Sequence, residues 1–431
     1  MRRWLTRHSR LLIVLAGALV IRLALAALPG LVSDVNLFRL WAEQLSAGGL
    51  DSFFAGEDPT KDYAPGYLYV LWFLGVLNSI FHFTAGEWEY VLKLAPIAAD
   101  LGSAVLLYLL VRQRNEEWGL LAAAVYLLLP PVLLIGAIWG QVDSLLAFFV
   151  LLTIYFLAGN RPVAAGLAFT AGLFVKPQIV AVFPFFAFWL VRDAPPRTWL
   201  RVAGWSTVLA IALAWPFFPS LLPWRPLHEL ASHLRGSADL YPYNSVNAYN
   251  LWTVFPDIAG RCDVETCRVP TTGAVQQGSE YLGLTTRTWG LALYLLSSAA
   301  VIAVLRRTRS TGFLALGTSL CALAFFLFVT RMHERYLFPY FLPALAACSL
   351  LRSAALWRAF SVLATVHLLN LYDVYVSFGD LRIASVDEWL ESRDVWGTGL
   401  ATSQALGIVL CTTFVALLVE TRRLARDARA E

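Results

Sequence analysis

Lysine is almost missing from this 431-residue chain: of 33 basic residues only Lys61, Lys93 and Lys176 are lysine, the rest arginine. Charge of either sign is scarce, at 14% of residues against about 25% in an ordinary soluble domain. That shortage, with 58% hydrophobic residues, excludes a solvated globular fold and makes the chain a polytopic membrane protein. A basic stripe is lacking too. The net charge of +4 is spread over short arginine-bearing connections, which argues against nucleic acid as a partner. No internal repeat or low-complexity tract is visible, and the five cysteines are too few for a disulfide scaffold. Cys321, Cys348 and Cys411 fall in apolar runs as small core residues. Cys262 and Cys267 share a polar loop, where a disulfide, a free pair and a metal-binding pair are all open readings.

What is there is apolar run after apolar run. Runs bounded by charge predict membrane helices near 11–31, 89–111, 119–136, 143–158, 162–175, 178–192, 199–218, 287–305, 312–330, 335–351, 354–372 and 400–420. The first ten residues hold four arginines, so the N-terminus is expected in the cytoplasm and the first run is read as a retained span. Twelve crossings then put Arg112, Arg114, Arg161, Arg192, Arg197, Arg201, Arg306, Arg307, Arg309, Arg352, Arg358 and the 422–429 tail on the cytoplasmic side. Segment 64–83 is apolar enough for a thirteenth span, and whether it crosses or re-enters is open. Runs 143–158 and 162–175 are shorter than the roughly 17 residues a perpendicular span needs, which suits backbone lining a protein cavity. The expected fold is all-α with about 12–13 transmembrane helices. The expected division is a membrane module at 1–218 with an external loop at 32–63, a large external loop at 219–286 and a second membrane module at 287–431.

With that topology four polar clusters reach the external face: Asp34 with Asp62 and Tyr63; Trp139, Gln141 and Asp143; Lys176 and Gln178; and Arg331, His333, Glu334 and Arg335. Ionisable groups at membrane depth cost about 2.5–3.5 kcal/mol each at a helix centre, so they are rarely idle. After Asp34, the apolar residues Leu37, Phe38, Leu40, Trp41 and Leu45 predict a helix lying in the membrane interface. Asp34 reads either as a general base or as the N-cap of that helix. Gln141 and Asp143 read as ligands of sugar hydroxyls, as groups that hold the Asp34 loop, or as a helix cap. Lysine offers phosphate a point charge and arginine a planar fork, which makes Lys176, Arg331 and Arg335 phosphate-ligand candidates, with snorkelling to lipid headgroups the alternative for the arginines. His333 and Glu334 lack partners at metal-ligand spacing and read as hydrogen-bonding groups. Lys93 and Asp100, seven residues apart on one predicted helix face, read as a buried structural pair.

In this order the clusters resemble the GT-C glycosyltransferases, and specifically the dolichyl-phosphate-glucose glucosyltransferases of N-glycan assembly. The likeness lies in Asp34, in Arg39 with Trp41, in Asp62-Tyr63-Ala64-Pro65, in Gly140-Gln141-Val142-Asp143, in Phe174-Val175-Lys176-Pro177-Gln178 and in His333-Glu334-Arg335. Val35-Asn36 after Asp34 reduces the family's paired acidic motif to one carboxylate, so no metal or other cofactor is expected. The resemblance implies a hexose donor linked to polyprenyl phosphate, inverting single displacement at the extracytoplasmic face, and a glycan, lipid or protein acceptor. It makes Asp34 the base, gives Lys176 and Arg331 or Arg335 the donor phosphate, and lines the sugar and acceptor site with Gln141, Asp143, His333 and Glu334. A transporter or flippase of lipid-linked sugars is the alternative, but transporters usually carry paired inverted repeats with midplane sites. No Asn-x-Ser/Thr sequon is present, and with the arginine-rich composition this predicts a prokaryotic plasma membrane and an undecaprenyl or decaprenyl carrier.

Overall fold

The computed structural model describes residues 8–55, 58, 61–237, 243–255, 280–377, 382–392 and 394–430. Cys262 and Cys267, Asp380 and the arginines at positions 2, 3 and 7 lie outside the described residues. Helix accounts for 79% of the structure. Strand among the described residues is confined to two-residue segments such as Ser245–Val246 and Met332–His333, which pair in parallel. The chain is therefore an all-α, polytopic membrane protein.

Every predicted run is helical. Ala85–Val111, Thr286–Leu305, Thr311–Phe328, Ala354–Ser377 and Thr402–Arg429 are long and apolar enough to cross a bilayer by themselves. The run at 119–136 is broken: Glu116–Leu128 and Pro130–Trp139 meet at a 53° bend. Pro130 lacks an N–H and forces Leu129 into extended backbone, which ends the first helix there. Pro177 likewise stops Pro162–Val175 at Lys176, and the chain resumes as the 3-10 turn Pro177–Val182. Segment 64–83 forms one unbroken 17-residue helix, Pro65–Phe81, with Pro65 in its first turn and His82 left-handed at its end (φ 53°).

Two compact units divide the chain: Met1–Val180 with Ala187–Leu240, and Ala181–Phe186 with Tyr241–Glu431. The division near 240 falls between the expected boundaries at 218 and 287. The helix Arg225–Ser237 belongs to the first unit, where His233 Nε2 lies 2.5 Å from Lys61 O. Residues 243–255 belong to the second, where the Asn244 side chain accepts from Thr286, Asn370 holds Tyr249 N and Asn247 O, and Asn250 and Trp252 donate to Phe326 O and Phe328 O. The loop is thus divided according to which helices satisfy its polar groups.

In the first unit the helix Val32–Gly48 buries Phe38, Trp41, Ala42 and Leu45, a single helical stripe, while Leu37 is half-buried and Leu40 is exposed. It packs on Pro65–Phe81 at Gly75, where a Cβ would lie 2.1 Å from Ala42 O. Small residues at such crossings let membrane helices approach closely. Lys93 and Asp100 do not pair. Lys93 turns to Glu89 (3.1 Å) and two backbone carbonyls, whereas Asp100 accepts from Tyr126 (2.8 Å) and faces Arg22 (3.5 Å). One helical face supplied both residues, but Lys93 found its partners on its own helix and in the 26–28 linker, whereas Asp100 found Tyr126 and Arg22 on other helices.

Candidate active site

Asp34 lies in the first turn of Val32–Gly48, which starts after Leu31 in extended backbone with no side-chain cap. The N-cap reading of Asp34 is therefore overturned: Leu31 occupies that position, and the Asp34 side chain turns elsewhere. A carboxylate in the first turn is favoured by the helix dipole. Its Oδ2 accepts from Trp139 Nε1 at 2.8 Å and from the Gln141 side-chain amide, while Oδ1 takes neither bond.

Both donors hang from the end of a π-helix, Leu133–Trp139. π-Helical turns are rare and frequent at functional sites. Here the wide turn closes on Ile135 O, which accepts from both Gly140 N (3.1 Å) and Gln141 N (3.0 Å). Gly140 is left-handed (φ 83°), a conformation glycine adopts at little cost. The cap reading of Gln141 and Asp143 fails in the same place. The helix Asp143–Ala158 begins after Val142 with no side-chain cap, and the Gln141 side chain is committed to Asp34.

Around the carboxylate stands an aromatic wall. Phe38, Trp41, Tyr63 and Tyr67 meet with ring centroids 5.2–5.9 Å apart. The Tyr63 hydroxyl lies 3.4 Å from Gln141 Oε1. Tyr67 is wholly buried and its hydroxyl has no hydrogen-bond partner. Asp62 is half-buried in the extended segment before Pro65.

Lys176 and Asp143 form a buried, two-pronged ion pair, Nζ to Oδ1 2.8 Å and to Oδ2 2.9 Å. Pro177 holds Lys176 extended at the helix end, and the start of Pro65–Phe81 crosses just before it: a Cβ on Gly66 would lie 2.6 Å from Phe174 O. Gln178 follows in the 3-10 turn with Oε1 buried and unpartnered. Asp34, Asp62, Tyr63, Gln141, Asp143, Lys176 and Gln178 thus all belong to the first unit.

Arg331, His333, Glu334 and Arg335 belong to the second. Arg331 is left-handed (φ 64°), and its backbone N–H donates to Tyr243 O and Asn244 O at 3.1 and 3.2 Å. His333 sits in the two-residue strand paired with Ser245–Val246 and packs on Tyr336, with ring centroids 5.1 Å apart. Buried Glu334 accepts from Arg335 at 3.0 Å. His333 lies in the strand, and Glu334 opens the 3-10 helix Glu334–Tyr340 that follows it.

The model of the ALG6, ALG8 glycosyltransferase family matches residues 89–377, about two thirds of the sequence. The chain belongs to the ALG6, ALG8 glycosyltransferase family. Among solved structures, ArnT from Cupriavidus metallidurans bound to undecaprenyl phosphate is similar over 97% of this chain and 77% of its own, with 14% identity and a TM-score of 0.51. The apo form of ArnT covers the same shares at 12% identity and a TM-score of 0.49. At 14% identity the likeness to the undecaprenyl phosphate-bound structure establishes the shared GT-C fold. A comparison with curated protein sequences found no match. The family match begins at residue 89, so it takes in Gln141, Asp143, Lys176 and 331–335 but leaves the Asp34 loop to the geometry.

For a member of the ALG6, ALG8 family the arrangement has a clear chemical capability. One oxygen of Asp34 is fixed by two N–H donors, which orients the carboxylate and leaves the other oxygen to take a proton. Sequence reasoning missed Tyr67, whose only signal was its place two residues after Pro65, and Asn244, Asn247 and Asn250, whose signal was their spacing of three. No group of three or more His, Cys, Asp or Glu side chains able to hold a metal ion occurs among the described residues.

Proposed function

We propose that this glycosyltransferase moves a hexose from a polyprenyl-phosphate-linked donor to an acceptor hydroxyl at the extracytoplasmic face of a plasma membrane, with inversion. The observation that carries the reading is the Asp34 carboxylate, tethered through Oδ2 by Trp139 and Gln141 with Oδ1 left over. Family membership supplies sugar transfer. The undecaprenyl phosphate on ArnT, a protein of the same fold, supports a polyprenyl carrier.

In the proposed step Asp34 takes the proton of the acceptor hydroxyl as its oxygen attacks the anomeric carbon. The bond from that carbon to the phosphate oxygen breaks, and polyprenyl phosphate leaves with the electron pair. The indole and amide N–H groups hold Asp34 in line without supplying a proton. We assign Arg331 and Arg335 to phosphate recognition, with His333 and Glu334 as polar ligands. Asp62, Tyr63, Asp143, Lys176 and Gln178 are assigned to the substrate site, Lys176 and Asp143 acting as a pair. The acceptor is a glycan, lipid or protein.

The test is transfer from radiolabelled polyprenyl-phosphate hexoses, glucose and mannose among them, in membranes holding wild type or Asp34→Asn. Release of polyprenyl phosphate with sugar transfer by wild type alone is the expected result. Equal transfer by both would remove Asp34 as base. No transfer by either, with lipid-linked sugar nonetheless moved across the bilayer, would replace transfer with transport.

A further inference from the structure

Residues 26–31, which lead from the first helix, Ser9–Leu25, into the helix bearing Asp34, have only apolar side chains and glycine: the N–H groups of Ala26, Ala27 and Leu28 bond back to the helix they leave, and no linker side chain can hydrogen-bond to set the path onward. Two residues of Ala85–Val111 fix it for them. The Lys93 ammonium donates to Ala26 O (3.0 Å), Leu28 O (2.5 Å) and Glu89 Oε1 (3.1 Å). These three acceptors match its three N–H donors. Glu89 Oε1 in turn accepts the Gly30 backbone N–H. Lys93 itself is fully buried, while Glu89 keeps 30% of its side chain exposed.

The same pair bears on the opposite side of the site. A Cβ at Gly140 would lie 3.0 Å from Lys93 Cγ, and a Cβ at Gly30 would lie 3.0 Å from Trp139 O. The linker feeding Asp34 and the turn presenting Trp139 and Gln141 are therefore seated against one another across Lys93 and Glu89. Gly30 is only four residues before Asp34, about one helical turn.

We propose that the Glu89–Lys93 pair is a positioning device that sets the distance from Asp34 to Trp139 and Gln141 by holding both segments. Neither residue touches the reacting atoms. The physical part stands on geometry alone, and its catalytic consequence rests on the reading of Asp34 as the base.

Hydrogen–deuterium exchange and turnover are measured on the full-length protein in detergent, as wild type, Lys93→Met and Glu89→Gln. Lys93→Met removes all three donors; Glu89→Gln keeps an acceptor for Gly30 but loses the charge. In Lys93→Met, exchange over 26–35 rises about tenfold while Thr311–Phe328 keeps wild-type protection. Its kcat falls about 100-fold, as a misplaced catalytic group demands, with the donor KM within about twofold. Glu89→Gln moves both readouts the same way by less, and it carries the test if Lys93→Met does not fold. Wild-type exchange over 26–35 in a folded variant overturns the proposal, and so does a loosened linker with kcat unchanged. If wild type transfers no sugar from any donor, the functional reading has failed, and exchange alone then decides whether the pair holds the linker.

Discussion

An aspartate with one oxygen saturated by two donors behaves differently from a free surface carboxylate. Trp139→Phe and Gln141→Leu each remove one N–H from Asp34 Oδ2 while leaving its Oδ1 in place. Each is expected to lower kcat by about tenfold to 100-fold, the cost of an unfixed catalytic group, with little change in thermal stability. Tyr67 offers a contrasting case. A buried hydroxyl without a partner costs about 1–3 kcal/mol, so Tyr67→Phe should hold or raise the melting temperature of the purified protein while slowing transfer. A fall in stability would mean that the hydroxyl is satisfied in the folded protein. The Lys176–Asp143 pair responds through stability instead. Removing one partner strands a buried charge at about 3–5 kcal/mol, so Lys176→Met should melt far below wild type, and Lys176→Met with Asp143→Leu should recover much of the loss. At this scale the sequence was legible where polarity stood out against oil, as at Asp34, Gln141, Asp143 and Lys176. It was illegible where partners had to be assigned, because Lys93 and Asp100 share a helix face yet Lys93 turned to Glu89 on its own helix and Asp100 to Arg22 on another.

Elements were legible for the same reason they exist: long apolar runs must satisfy their backbone internally in lipid, and helix does so. The π-helix at Leu133–Trp139 was not, because its residues read as a continuous apolar run, and the widened turn shows only through what packs on it. Gly136 is the clearest example. Replacing an interior helical glycine by alanine ordinarily gains about 1 kcal/mol. At Gly136 the new Cβ would lie 2.5 Å from Asp100 Oδ2 and 3.0 Å from Ser144 Oγ, in a buried cluster with little room to yield. Gly136→Ala is therefore expected to destabilise by about 1–3 kcal/mol and to depress kcat through Trp139 and Gln141. Gly17, which meets nothing within 4 Å, is the control: Gly17→Ala should be neutral or stabilising in the same melting assay. A stabilised Gly136→Ala would show that the π-turn does not press on Asp100.

Along its own helices each unit gathers a group of arginines at the end away from its candidate site groups. In the first unit, Ala85–Val111 starts beside Lys93 and ends at Arg112, and Arg10 pairs with Glu117 at 2.5 Å at that far end. In the second, the exposed Arg306, Arg307, Arg309 and Arg352 occupy the turns between helices, Arg358 lies early in Ala354–Ser377, and Arg429 reaches Val304 O at 2.9 Å. Arg331 to Arg335 lie at the opposite end of Thr311–Phe328. The positive-inside bias acts on such turns, so the arginine end of each unit should face the cytoplasm. A green fluorescent protein fused to the C-terminus should then fluoresce, and alkaline phosphatase at the same point should be inactive. Phosphatase inserted after Ser237 should be active. The reverse pattern would put the Asp34 loop in the cytoplasm, where an extracytoplasmic donor could not reach it, and would require a sugar donor presented on the inner leaflet. The arginines made this polarity readable from the sequence. The division at 240 was not, because it depends on hydrogen bonds from Asn244, Asn250 and Trp252 to distant helices, and no local pattern announces those.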